Sequence, residues 1–119
     1  MKRIMIFSIV VSALAFTTTR DKLIGRWQTK PSVNGNVTGI VIKADSSFEG
    51  FVNKKPFTSG HYTVADSLFS FVDNGCDGKR AVYKLIFFSN DDSLRFEPVT
   101  DSCVERKRGM SQLVMGRIR

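Results

Sequence analysis

Two cysteines, one histidine and a dense run of cations carry most of the chemistry this chain could do. Cys103 lies in TDSCVERKRG (100–109), between an acidic turn and the cations Arg106, Lys107 and Arg108. Cys76 lies in DNGCDGKR (73–80), again beside a basic pair. A thiolate beside cations is the setting of a reactive cysteine, cysteines with a histidine are the start of a metal site, and a basic cluster suits an anion. The spacing argues against the first two. There is no CxxC, and two cysteines alone cannot complete a zinc site. His61 precedes Cys76 by 15 residues and Cys103 follows it by 27, which fits no metal-ligand pattern. No metal or cofactor is expected. Catalysis has no foothold either: there is no Gly-x-Ser-x-Gly elbow, phosphate loop or HExxH. His61, between Gly60 and Tyr62, reads as a surface residue of a strand, and Asp91-Asp92 as turn chemistry. The expectation is a protein that is not an enzyme.

The start of the chain, MKRIMIFSIVVSALAFTTTR, explains the cysteine usage. Lys2 and Arg3 open it, an apolar run follows from Ile4 to Phe16, and Ala13 and Ala15 give a small-x-small cleavage pattern. Residues 1–15 are expected to be a signal peptide and 16–119 the mature domain, secreted or periplasmic. The apolar run, about 13 residues, is too short to cross a hydrocarbon core of about 30 Å as a helix. An uncleaved anchor is the alternative; with cleavage, no transmembrane segment remains. The formal charge of +7 falls to +5, since Lys2 and Arg3 leave and no acid goes with them. So small a domain buries a modest core, and in an exported chain its two cysteines are most simply a disulfide.

Short β-branched and aromatic runs recur along the mature chain, separated by Gly, Asn, Asp, Lys and Pro. They predict eight strands at 22–30, 36–44, 46–53, 57–65, 67–73, 79–88, 92–99 and 111–119. Alternation is clear in LRFEPV and GHYTV, while the fifth and sixth strands are apolar on both faces, which predicts a shared core with some exposed apolar area. Only 101–110 has poor strand propensity. Ser102 and Glu105 form the spacing of a capping box and Gly109 a stop, which predicts a helical turn or two. Eight antiparallel strands with hairpin links remove their edges by closing into an up-and-down barrel; a two-sheet sandwich is the rival.

Gly25-x-Trp27 on the first strand, with Arg117 and Arg119 at the chain's end, resembles the calycin group of lipocalins and their relatives. The resemblance implies that a terminal basic side chain covers the indole. Further matches are Gly60, Tyr62, Leu68, Cys76, Tyr83, Leu94, Phe96, Asp101, Cys103 and Arg106, which are similar to small secreted bacterial lipocalin-like domains. The chain departs from that pattern at Ala81-Val82, where a glycine is usual, and at its end, VMGRIR, which lacks a second Gly-x-Trp. The fold implied is all-β: one eight-stranded antiparallel lipocalin-like barrel with a short helix between strands seven and eight. The resemblance transfers no catalytic residue.

In such a barrel alternate connections share an end. Cys76 (link 5–6) and Cys103 (link 7–8) then fall together, which predicts a Cys76–Cys103 bridge. That end gathers Lys30, Lys54, Lys55, Lys79, Arg80, Arg106, Lys107 and Arg108 against Asp73, Asp77, Asp101 and Glu105. A basic barrel mouth suits a small, partly apolar anionic ligand. Lys54, Lys55, Arg80 and Arg106 are candidate mouth cations, and Tyr62 and Tyr83, with Phe71, Phe87 and Phe96, candidate wall residues. The alternative is a filled barrel that docks an acidic protein or anionic surface through the same end, as an inhibitor or envelope factor would. The strands lack the basic-and-aromatic face that grips single-stranded nucleic acid, so no nucleic-acid partner is expected. A monomer or weak homodimer is expected. Interior volume separates the two readings.

Overall fold

A computed structural model describes residues 18–119, so the signal sequence expected at 1–15 lies outside the described residues. The chain runs α1 (Thr19–Leu23), β1 (Gly25–Thr29), β2 (Thr38–Ile42), β3 (Ser47–Val52), β4 (Lys55–Ala65), β5 (Leu68–Asp73), β6 (Ala81–Phe88), β7 (Ser93–Thr100), α2 (Val104–Gln112) and β8 (Val114–Ile118), with a short 3-10 turn at Cys76–Gly78. The strands form one closed antiparallel barrel in sequence order, shut by β8 against β1. This excludes the sandwich. No helix of the described residues is long and apolar enough to cross a membrane.

The alternating pattern turns one face of each strand inward. Trp27, Ile42, Phe48, Tyr62, Phe69, Phe71, Tyr83, Leu85, Leu94, Phe96 and Met115 are all buried. Their rings touch in a continuous column: Phe48–Phe71 at 5.6 Å between centroids, Tyr62–Phe69 at 5.5 Å, Phe69–Phe71 at 5.2 Å, Phe71–Tyr83 at 5.9 Å and Phe69–Phe96 at 5.9 Å. Aromatic pairs at this spacing add to simple burial. The twice-apolar strands divide as expected: Phe69, Phe71, Tyr83 and Leu85 point in, while Leu68 and Phe88 remain exposed. Gly60 allows β4 and β5 to approach closely, because a Cβ there would lie 2.0 Å from the Val72 carbonyl oxygen.

Four local expectations are corrected. Thr19–Leu23 is helix, so Lys22 and Leu23 do not begin the first strand. The Thr18 hydroxyl caps α1 by accepting from Asp21 N–H, Leu23 is fully buried, and Gly25, at φ 136°, turns the chain into β1. Ser102 does not cap α2. Cys103 holds the cap position without a side-chain bond, Asp101 accepts the Cys103 N–H at 2.9 Å, and Glu105 pairs with Arg108. Gly109 does not stop the helix, which continues to Gln112 because Met110 and Leu113 pack against the core. The last strand consequently starts at Val114 rather than at 111.

Candidate functional site

The links β1–β2, β3–β4, β5–β6 and β7–β8 lie at one end of the barrel, and the Cys76–Cys103 disulfide joins two of them. The bridge fastens the start of α2 to the β5–β6 link. There Arg106 turns inward instead of outward. Its Nε donates to Asp101 at 3.0 Å, its Nη2 to the other Asp101 oxygen at 3.0 Å and to the Lys79 carbonyl at 2.9 Å, and its Nη1 to Asp73 at 3.2 Å. The guanidinium also lies 5.1 Å from the centre of the Phe71 ring. Only 6% of the Arg106 side chain is exposed, and none of the Asp101 side chain.

Tyr83 completes the group by donating its hydroxyl to Asp101 at 2.5 Å. Burial alone would raise the Asp101 carboxyl, but hydrogen bonds from Arg106, Tyr83 and Cys103 N–H outweigh it and hold Asp101 below its ordinary value. Burial, then the hydrogen bond to Asp101, pushes the Tyr83 phenol far above its ordinary value. Burial works against the Arg106 charge, yet Asp101 and Asp73 raise its pKa on balance. Tyr83, Asp101, Cys103, Arg106 and Cys76, separate motif positions in the sequence, thus form one internal clamp.

Tyr62 is not part of it. Its hydroxyl donates to the Lys43 carbonyl at 2.5 Å, at the opposite end of the barrel, and burial raises its phenol above the ordinary value. Arg80 lies on the outside and donates to the Ser70 hydroxyl at 3.0 Å. Lys54 and Lys55 lie at the β3–β4 hairpin, where Asn53 and Lys54 both have positive φ (52° and 69°). That is the backbone of a two-residue hairpin turn in which glycine is usual at the second position. The six candidate ligand residues therefore do not converge: Tyr62 and Tyr83 are interior with hydroxyls held at opposite ends of the barrel, Arg106 is enclosed, and Lys54, Lys55 and Arg80 face solvent.

At the terminal end, Arg117 stands opposite Trp27 in the β1–β8 register, with its guanidinium 4.3 Å from the ring centre. Its Nη2 donates to the Lys22 and Asp91 carbonyls, and the indole Nε1–H donates to the Leu23 carbonyl at 2.9 Å. The same residues tie α1 across that end. Arg119 does not reach the indole; it is exposed and pairs with Asp92.

Among the described residues, Lys30, Lys54, Lys55, Lys79, Arg80 and Lys107 have no carboxylate within salt-bridge distance, and all are exposed. Two open concavities border the strands among the described residues: one of about 380 Å³ along β3, β4 and β5, and one of about 330 Å³ beside Pro56 and Phe57. No cluster of three metal-ligating side chains occurs among the described residues. Sequence reasoning missed the carboxylates Asp73 and Asp101 as partners of Arg106. The available signal was Asp101, five residues before Arg106 and two before the bridging cysteine. Comparison with protein-family models, curated proteins and solved structures finds no match to this chain.

Proposed function

We propose that this chain is a secreted, lipocalin-like interaction protein that docks an acidic partner through the cationic end of its barrel. The reading rests on one observation: contacting aromatic side chains meet in the interior, while Lys30, Lys54, Lys55, Lys79, Arg80 and Lys107 of the bridged end stand exposed with no carboxylate partner among the described residues. A small barrel either fills its interior or holds one ligand, and the burial and mutual contact of Phe48, Phe69, Phe71, Tyr83 and Phe96 favour the filled form. Clustered exposed cations raise the local concentration of a negatively charged partner and speed its approach, with a strong dependence on salt. The indole–arginine pairing of Trp27 and Arg117 favours kinship with the calycin group.

Two measurements test the proposal. Native mass spectrometry of the purified protein should give the mass of the disulfide-bonded chain alone; a copurified molecule of small mass would restore the small-ligand reading in its place. Poly-L-glutamate should bind with an affinity that falls steeply with salt. Binding should weaken at least tenfold in the variant Lys54→Glu/Lys55→Glu/Lys79→Glu/Lys107→Glu. Unchanged binding in that variant would remove the docking end.

A further inference from the structure

The bridged end differs from the other end in more than charge. The three most exposed large apolar side chains among the described residues are Val33, Phe57 and Val104, and all three lie there. Val33 is in the β1–β2 link, Phe57 stands near the start of β4 beside the β3–β4 hairpin, and Val104 begins α2 in the β7–β8 link. Each has cations without carboxylate partners close by in sequence: Lys30 near Val33, Lys54 with Lys55 near Phe57, and Lys107 near Val104. The β5–β6 link adds Lys79 and Arg80, against one carboxylate, Asp77. The links at the opposite end, 43–46, 66–67 and 89–92, contain no large apolar residue and carry Asp45, Asp66, Asp91 and Asp92.

Hydrogen bonds fix the first two of these tips side by side. Ser32 N–H donates to the Asn36 carbonyl at 2.9 Å, Gly35 N–H to the Ser32 carbonyl at 2.8 Å and Asn36 N–H to the Ser32 hydroxyl at 3.1 Å, a closed turn that carries Val33. Asn53, next to Lys54, fastens this turn to the β3–β4 hairpin. Its Nδ2 donates to the Asn36 side-chain oxygen at 2.9 Å, its Oδ1 accepts from Val37 N–H at 2.9 Å, and its N–H donates to the Val37 carbonyl at 2.8 Å. Exposed apolar side chains rimmed by charge mark a contact surface, and loops already ordered lose little entropy on binding. A protein partner would need a separate pocket for each tip, because the tips stand on different links. The interfacial layer of a bilayer takes apolar side chains anywhere along its plane, and its anionic headgroups take the cations.

We infer that the bridged end docks on an anionic lipid surface, with its cations at the headgroups and Val33, Phe57 and Val104 entering the interfacial layer. This rests on the docking function proposed above and names its partner. The acidic links at the far end are repelled by the same surface, so the barrel stands upright on it rather than on its side. Recognition is by charge and by a plane of apolar tips, without a pocket for one headgroup.

The test uses the disulfide-bonded mature chain, without residues 1–15, whose apolar run would itself partition into lipid. The probes are vesicles of equal parts phosphatidylglycerol and phosphatidylcholine, vesicles of phosphatidylcholine alone, and poly-L-glutamate. In sedimentation at low salt the chain should bind the anionic vesicles at least tenfold more tightly than the neutral ones. Val33→Ser/Phe57→Ser, both changes on the surface, should weaken vesicle binding several-fold and leave poly-L-glutamate unaffected. Leu68→Ser, a partly exposed apolar position next to the acidic link 66–67, should change neither. Binding of anionic vesicles alone supports lipid and removes an acidic protein as the partner. Binding of poly-L-glutamate without anionic vesicles overturns the lipid inference and leaves charge-driven docking standing. Equal binding to both kinds of vesicle overturns selection by charge. Vesicle binding that Val33→Ser/Phe57→Ser leaves unchanged, or that Leu68→Ser weakens as much, overturns contact through these tips. Failure of every probe overturns both this inference and the docking function.

Discussion

Replacing Arg106 by methionine keeps most of the side-chain stem and removes the charge, so the loss measures what the guanidinium does for Asp101. Two of the donors to that carboxylate disappear, and only the Tyr83 hydroxyl and Cys103 N–H remain around a group with no exposed surface. Removing one partner of a buried ion pair typically costs about 3–5 kcal/mol. A second argument bounds the number. The stranded carboxyl can always escape by taking up a proton. From an ordinary value of 3.8, neutralising it at pH 7 costs about 4.4 kcal/mol, at 1.36 kcal/mol per pH unit. At pH 5 the same escape costs only about 1.6 kcal/mol. Arg106→Met should therefore lose about 3–5 kcal/mol at pH 7 and roughly half of that or less at pH 5.

The chain's single tryptophan, Trp27, is buried and reports unfolding by fluorescence in urea. For a domain of this size the loss at neutral pH corresponds to a fall in melting temperature of about 15–25 °C. Adding Asp101→Asn to Arg106→Met removes the stranded charge and should recover about 2 kcal/mol or more, a coupling that independent sites do not show. A loss below about 1 kcal/mol, or one equal at pH 5 and pH 7, would refute the buried-charge reasoning.

Three further outcomes follow from the same geometry. Arg117→Met should cost about 2 kcal/mol and shift Trp27 emission, since it removes a cation–π contact and two carbonyl hydrogen bonds; Arg119→Ala, at an exposed pair, should change urea stability by less than about 0.5 kcal/mol. Cys76→Ser with Cys103→Ser opens a loop of 27-residue separation and should lower stability by about 3–4 kcal/mol in the same assay. The pH profile should fall at both extremes. Asp101 is held low in the fold, so its contribution is complete above the ordinary carboxyl value of 3.8 and is lost as pH falls through the folded value. The Tyr83 phenol is held high, so its contribution is complete below pH 10 and is lost as pH climbs toward the folded value. Asp101→Asn should flatten the acid limb and Tyr83→Phe the alkaline one.

The strands were legible because alternation and turn residues are local properties. Gly, Asn and Asp mark the links, and Tyr62, Leu94 and Phe96 each sit on the apolar side of an alternating run that the barrel turns inward. The disulfide was legible through topology, since links 5–6 and 7–8 must share an end. The first helix was not. KLIGRW has the composition of a strand, and what makes Thr19–Leu23 helical is a tertiary arrangement: Leu23 buried, and its carbonyl taken by the Trp27 indole. The extent of α2 escaped for the same reason, because Met110 and Leu113 reach the core on either side of the expected stop.

The charges show why a basic run in sequence is a poor guide to a basic surface. Arg106 belongs to ERKR, yet it is the one cation of that run that turns inward, and Asp73 and Asp101 neutralise it in place. Arg108 is matched by Glu105 within the helix. A pair closed at contact distance contributes little field a few ångströms away, and salt screens what remains. Of that run only Lys107 is left unpaired. Among the described residues the other unpaired cations at this end of the barrel are Lys30 on the β1–β2 link, Lys54 and Lys55 on the β3–β4 hairpin and Lys79 and Arg80 on the β5–β6 link. Lys54, Lys55, Lys79 and Arg80 lie near the exposed Phe57 end of β4. The internal clamp and the external patch are thus two consequences of one chain reversal: the bridge that fastens Cys103 to Cys76 sets Arg106 against Asp73 and Asp101, and moves the cationic surface from α2 to the hairpin tips beside β4.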